Sequence, residues 1–335
     1  MTEKENFMKL IRGECPEWIP TYTFGKIPGD PHVPATAKIG PGLLFDFRKD
    51  PNGTDYWGVR YVSNEEGNFA SIPKPNDFIL DDITKWRDVI HAPSLEGIDW
   101  EAMAKRDIEN SGINPEETAV IFHLHVGYFQ NLMAFMGFTE GLCAMYEEPE
   151  EVKALFEYMS DFYVDVAERC IDYYHPDIFS VTDDTATKQN PFVSVDMYRE
   201  LLKPFYIKQA NVAMKRGIPI EMHNCGRCED FIEDWFDFGV SAWNPAQPSN
   251  NLKAIKEKYG NSLALCGCWD AYGELADPNC SEEVFKDSII KTIDAYAPGG
   301  GFAWGNNVLG FDEAAKRKNR WISEVMDTYG RTFYR

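Results

Sequence analysis

His223-Asn-Cys225 sets an imidazole and a thiol two residues apart at the end of an apolar run, Ile218 to His223, that reads as a strand. Residues two apart on a strand share a face, so Glu221, His223 and Cys225 point together. An imidazole and a thiolate placed this way form two arms of a zinc site. Catalytic zinc takes three protein ligands and keeps a fourth position for water or substrate. Cys266-Gly-Cys268 closes another strand and offers a third donor, Cys268 being nearer the strand end. The bland alternative is a hydrogen-bonded histidine beside a small inert cysteine. A redox reading of Cys225-x-x-Cys228 is also open, because CxxC spacing lowers a thiol's pKa, but that chemistry usually sits where the motif opens a helix of a much smaller fold. Cys15, Cys143, Cys170 and Cys280 are isolated in sequence and are expected to be structural.

These residues need a scaffold that brings strand ends together. From about residue 118 the pattern alternates strand with helix: 119–125, 177–182, 218–223, 240–243, 263–266 and 302–304 read as strands. Helical stretches between them are expected at 129–146, 149–173, 195–215 (kinked at Pro204), 229–237, 250–258, 282–296 and 311–329. Pro149-Glu-Glu is a helix start, and the apolar stripe Leu155, Phe156, Met159, Phe162, Tyr163 and Val166 is a core face. Alternation of this kind argues for parallel α/β structure, and six visible units of eight in one unbroken domain favour the TIM (β/α)8 barrel over an open doubly wound sheet. No GxGxxG opens a helix after an early strand, as an open dinucleotide-binding sheet would require. The chain is read as one barrel domain over 1–335, with 1–117 supplying an elaborated N-terminal segment and the first barrel strands. Chemistry in such a barrel sits at the C-terminal strand ends. Asp183 and Glu221 become candidates for moving a proton or positioning substrate. His125, Tyr128, Asp184, Trp304 and Asn306 become candidates for substrate contact.

Composition narrows the function. Against 33 Lys and Arg stand 54 Asp and Glu, a formal charge of −21. Such a chain repels phosphate backbones and anionic bilayers, so neither a nucleic acid nor a membrane is an expected partner. No apolar run reaches the ~18–20 residues of a membrane helix, and Met1-Thr-Glu-Lys-Glu-Asn6 lacks the apolar stretch of a secretion signal. A cytoplasmic protein with reduced thiols is the expectation.

Taken in order, several segments resemble the uroporphyrinogen decarboxylase superfamily. They are Thr54-Asp55-Tyr-Trp57-Gly-Val, Gly137-Phe138-Thr-Glu140 ahead of Pro149-Glu-Glu-Val, Asp183-Asp184, Tyr198-Arg-Glu-Leu-Leu-Lys-Pro204-Phe-Tyr, His223-Asn-Cys225-Gly226, Gly239-Val-Ser-Ala-Trp-Asn244-Pro245, Cys266-Gly-Cys268 and Pro298-Gly-Gly-Gly301. The resemblance implies a TIM barrel. The decarboxylase proper carries an arginine-rich N-terminal segment that grips substrate carboxylates. Here the equivalent stretch, Trp18 to Lys26, has no arginine, leaving Lys26, Arg48 and Arg60 as candidate clamps. The corrinoid (cobalamin)-dependent methyltransferase branch has a zinc site similar to His-x-Cys plus a distant Cys, and His223 and Cys225 match it. Its thiol-methylating members take the third cysteine from near the last strand. This chain has Phe302-Ala-Trp304-Gly-Asn306-Asn307 there, so Cys268 or Glu221 would have to serve, or the site would hold no metal.

The resemblance thus implies a zinc-dependent methyltransferase. It would move a methyl group between a small molecule, such as a methoxylated aromatic, and a corrinoid carried by a partner protein. A homodimer is compatible with it. A uroporphyrinogen decarboxylase-like lyase and a non-catalytic barrel that binds a corrinoid or its carrier are the alternatives.

Overall fold

The computed structural model describes residues 1–26, 31–64, 70–124, 127–305, 307–310 and 312–335. Nine strands are described: β1 (Thr36–Ile39), β2 (Tyr61–Asn64), β3 (Ala70–Pro73), β4 (Ala119–His123), β5 (Ile178–Thr182), β6 (Ile220–His223), β7 (Val240–Ala246), β8 (Ala264–Gly267) and β9 (Phe302–Ala303). Seven of them form one sheet in the order β1-β4-β5-β6-β7-β8-β9, every neighbouring pair parallel. The residues of 20–24 fill the gap between its two edges. On one side Tyr22 N–H donates to the Trp304 carbonyl (2.6 Å) and Trp304 N–H to that of Pro20 (2.9 Å). On the other, Lys38 N–H donates to the Phe24 carbonyl (2.9 Å), while the Thr23 and Thr36 side chains bond across (2.7–2.8 Å). An eighth stave therefore closes the barrel, as the alternation of strands and helices predicts.

The inside of the barrel changes character along its axis. At the N-terminal end small and aliphatic side chains meet: Ala119, Ile121, Ile178, Ala242, Ala264 and Ala303. Small residues suit this position because eight staves leave room only for a packed column of side chains. Phe7, Leu10 and Ile11 press onto that column from the helix Glu3–Ile11, which plugs the barrel floor. Thr2 and Glu5 start this helix with a reciprocal capping box. Toward the C-terminal end the inward positions turn polar, with Lys38, Ser180, Glu221 and His223. The hairpin β2–β3 lies outside the barrel sheet and stands over that polar end.

Three helices differ from expectation for local reasons. The stretch 129–146 is two helices, Tyr128–Met136 and Phe138–Glu147, because Gly137 takes a positive φ of 86°. The stretch 195–215 is not kinked but divided at Leu202, with Pro204 in the first turn of Lys203–Met214, where its missing N–H costs nothing. The closing helix is shorter, Glu313–Val325, and runs into a wider turn at Met326–Gly330. Of the isolated cysteines, Cys170 and Cys280 are buried, whereas Cys15 and Cys143 are exposed and are not core residues. No helix among the described residues is long and apolar enough to cross a membrane.

Phe7 is fully buried in the plug. Phe7→Ala is expected to cost about 3–5 kcal/mol by leaving a cavity under the barrel. Urea unfolding checks this; an unchanged midpoint would mean the plug is not packed on the barrel floor.

Candidate metal centre

β6 puts Glu221 and His223 on its inward face, one below the other. Beyond His223 the chain bends sharply, and the bend is fixed on all sides. Asn224 N–H donates to the Asn244 carbonyl (3.1 Å), and the Asn224 amide exchanges hydrogen bonds with Thr185 (2.8–3.3 Å). Trp243 Nε1 donates to the Asn224 carbonyl (3.0 Å). Gly226 has φ +90°, and a Cβ there would collide with the carbonyl oxygens of Ala186 and Thr187. Only glycine fits so close an approach. Cys225 N–H then donates to Asp184 Oδ1 (2.9 Å), which ties the bend to the end of β5.

That bend assembles three donors: an Asp184 carboxylate oxygen, a His223 ring nitrogen and Cys225 Sγ, all within 4.8 Å of one another. His223 Nδ1 lies 2.9 Å from Asn244 Oδ1, so Nδ1 carries the proton and Nε2 presents its lone pair. Nε2 is 3.9 Å from Cys225 Sγ, close to the ~3.6 Å expected for N and S ligands on one tetrahedral zinc. Burial, helped by the Lys38 charge, holds the imidazole well below its ordinary pKa and hence neutral. Burial also raises the Asp184 carboxyl and pushes the Cys225 thiol up, Asp184 adding to the latter. A neutral imidazole oriented by an amide, beside a thiol and a carboxyl whose charged forms burial disfavours, is a donor set that a dication would complete. These residues fit zinc.

The third donor is Asp184, expected from sequence only to touch substrate. Cys268 does not join the cluster. The chain reaches it through Gly267 at φ 131°, and Cys268 itself has φ +65°, so the two-residue alternation from Cys266 breaks. Cys266 faces the barrel interior, while Cys268 packs into the helix layer, near Lys256 and Tyr296.

Glu221 sits within the barrel, with Oε1 accepting from Tyr22 Oη (2.9 Å) and Ser180 Oγ (2.9 Å) and paired with Lys38 Nζ (3.2 Å). Asp183 is enclosed too. It accepts from the Phe129 and Gln130 N–H groups (2.9 and 3.1 Å), Tyr206 Oη (2.6 Å) and Asp184 N–H (3.0 Å), and burial still pushes its carboxyl up to about 7. It thus caps the helix that begins at Tyr128, packed so tightly on Gly127 that a Cβ there would strike the carboxylate. Asp183 positions; it does not reach the cavity. Tyr128 is likewise core, ringed by Phe156, Tyr163, Phe205 and Tyr206 at 5.6–5.9 Å. Trp304 lies in the seam against Trp269 (5.3 Å), away from the donors. His125 and Asn306 lie outside the described residues.

A cavity of about 930 Å³ opens over His223 and Asp184, at the upper end of the range for small-molecule sites. Its walls are aromatic. Phe24 meets His223 edge-on (5.9 Å), His123 stacks on Phe45 (4.4 Å), and Phe129 stacks on Phe192 (5.5 Å). Gln130 Nε2 donates to Asp184 Oδ2 (2.8 Å) from the cavity wall. Lys38 and Gln130 have no sequence signal of their own; Asn244, two residues after the inward Ala242 on β7, had a spacing that could have marked it.

Residues 119–303 match the family model of uroporphyrinogen decarboxylase (URO-D), more than half of the chain. The chain belongs to the uroporphyrinogen decarboxylase family. No curated protein matches it in sequence. Among solved structures it is similar to a methyltransferase from Methanosarcina mazei, at 12% identity and a TM-score of 0.66, over 98% of this chain and 99% of that one. This likeness extends the family's barrel fold to the N-terminal third. The Ignisphaera aggregans GH53 catalytic domain aligns at 12% identity over 85% of this chain and 88% of that one, but its TM-score is only 0.36.

Gly226→Ala is expected to destabilise the protein by at least ~1–2 kcal/mol, the cost of the left-handed backbone alone, with the carbonyl collisions added. Thermal unfolding checks this; an unchanged midpoint would mean the bend relaxes freely.

Proposed function

We propose that this member of the family is a methyltransferase of a corrinoid system, removing a methyl group from a small methylated aromatic with zinc held by His223, Cys225 and Asp184. The observation that carries the reading is the His/Cys/Asp cluster at the C-terminal end of a barrel, two of whose members, His223 and Asp184, line an aromatic-walled cavity. The fold shared with a protein named as a methyltransferase is consistent with it. Bound zinc would supply Lewis acidity at the heteroatom from which the methyl group departs. The corrinoid, carried by a partner protein over the mouth, would supply the nucleophile.

The chain's own residues have separate tasks. Asn244 keeps His223 Nε2 available, and Gln130 with the Cys225 amide orients Asp184. Lys38, held on Glu221 at the cavity floor, places a positive charge where negative charge develops on the departing group. Phe24 and the stacked pairs shelter a flat substrate from water. A decarboxylase acting on a polycarboxylate is less well supported. Of the two cations among the described residues of the cavity wall, Lys38 is paired with Glu221, which leaves Arg48, too few for a polycarboxylate. Lys26 is exposed and outside the lining, and Arg60 is committed to Asp77.

The first test is elemental analysis of protein purified without a metal-binding tag. About one zinc per chain is expected, lost in Cys225→Ala and His223→Ala, weakened in Asp184→Asn and retained in Cys268→Ala. Because burial pushes the Cys225 thiol up and it must shed its proton to bind a cation, zinc affinity should fall as pH falls, and less steeply in Cys225→Ser. Methyl transfer from a methoxylated aromatic to a reduced corrinoid should disappear with the metal. Full activity in His223→Ala would overturn the proposal.

A further inference from the structure

The cavity wall contains two cations in different circumstances. Lys38 is nearly buried and engaged, with Nζ 3.2 Å from Glu221 Oε1 and 3.4 Å from Ser180 Oγ. Arg48 has no carboxylate within ion-pair distance among the described residues, and its guanidinium lies over the rings of Phe45 (5.8 Å) and Phe47 (5.6 Å). Asp55, the acid that feels its charge, turns Oδ1 instead to the amide N–H groups of Trp57 and Val59 (both 2.9 Å). In a chain with 54 Asp and Glu, acids are plentiful and most arginines are paired: Arg60 with Asp77, Arg87 with Glu151, Arg199 with Asp234. A guanidinium left without one, facing a cavity and backed by one of its aromatic walls, is a receptor for an anion brought by the ligand.

We infer that the cavity selects an aromatic carboxylate, its ring among the phenylalanine walls and its carboxylate on Arg48. The planar fork of a guanidinium matches the two oxygens of a carboxylate, and stacking on Phe45 and Phe47 holds the fork without removing its N–H donors. One unpaired cation calls for one anionic group, which separates this ligand from a polycarboxylate. The aromatic walls separate it from a small aliphatic acid. A chain of charge −21 repels anions at long range, so selection for one must come from a contact of this kind. The inference narrows the substrate class of the methyl-transfer reading and rests on that reading for its reaction, but the ligand contact stands on the cavity alone.

Calorimetric binding of benzoate, 4-methoxybenzoate, neutral 4-methoxybenzyl alcohol and 4-methoxybenzylammonium tests it on the full-length protein. Both acids are expected to bind at least tenfold more tightly than the alcohol, the ammonium weakest, with added salt weakening only the acids' advantage. Arg48→Gln should bring acids and alcohol to near parity while leaving the alcohol's affinity unchanged, which also shows that the cavity remains folded. Arg48→Lys should fall between, keeping the charge without the fork. Equal binding of acid and alcohol by the natural protein, unchanged acid binding in Arg48→Gln, or no binding of any aromatic overturns the inference. If 4-methoxybenzoate binds through Arg48 yet yields no methyl group to a reduced corrinoid, the methyl-transfer reading fails for this substrate class and the contact stands. If 4-methoxybenzoate is demethylated equally well by the natural protein and by Arg48→Gln at limiting concentration, the reading stands and the inference fails.

Discussion

A single buried carboxylate joins the closure of the barrel to the chemistry at its mouth. Glu221 is fully enclosed, and a lone carboxylate in such a place would cost several kcal/mol in lost hydration. The partners that offset this come from different staves: Tyr22 from the segment that closes the seam, Lys38 from β1, and Ser180 from β5. The ion pair therefore links both sides of the seam to β6. A shift of either segment would leave a buried charge without its partner, which is more costly than never having buried one. Two residues on from Glu221, His223 inherits its direction from the same strand. The Lys38 charge that neutralises Glu221 also helps keep that imidazole unprotonated. Barrel closure, strand register and the state of the histidine thus share one set of contacts.

The pair Asp183 and Asp184 divides two tasks between neighbours. Consecutive residues at a strand end point in opposite directions. Asp183 goes into the scaffold, where the first N–H groups of a helix and a tyrosine hold it. Asp184 goes to the cavity, where Gln130 of that same helix meets it. The helix beginning at Tyr128 is thereby fixed at one end by Asp183 and contributes Phe129 and Gln130 to the cavity wall. The scaffold aspartate sets where this helix starts, and that start decides which of its side chains reach the ligand.

What could be read from sequence was whatever followed strand periodicity. Glu221 and His223 are two apart on a regular strand, and both point inward as that spacing requires. Cys225 joins them although it lies past the strand, because Asp184 and Gly226 fold the bend back. Cys268 lies apart from the cluster for the complementary reason: Cys266 keeps the alternation, but a positive-φ turn at Gly267 and Cys268 sends the second thiol to the other side. Asp184 as a donor was hidden because nothing local says which of two adjacent aspartates caps a helix. The N-terminal third was least legible. Its two staves are short, and one of them, 20–24, is held largely by single bridges and threonine side chains instead of a full ladder. Its hairpin and Arg48 acquire meaning only when the barrel mouth brings them over His223.

The electrostatics of the cavity follow from its being an exception within an acidic molecule. Elsewhere on this chain the abundant carboxylates claim most cations, including Lys203, which bridges Asp234 and Asp237, and Lys208, which bridges Glu157 and Asp161. The exposed pairs among them, such as Lys208 with Asp161, contribute little individually, but together these pairs leave few positive groups for a ligand. Among the described residues that line the barrel mouth the walls are aromatic and the one carboxylate is Asp184, which the donor cluster itself uses. Lys38 keeps its charge there because the acid that neutralises it lies below, inside the barrel, and Arg48 keeps its own because its neighbours are rings. Apolar walls thus do two things at once. They give a flat ligand a surface, and by holding competing acids away they leave the charges that remain to it.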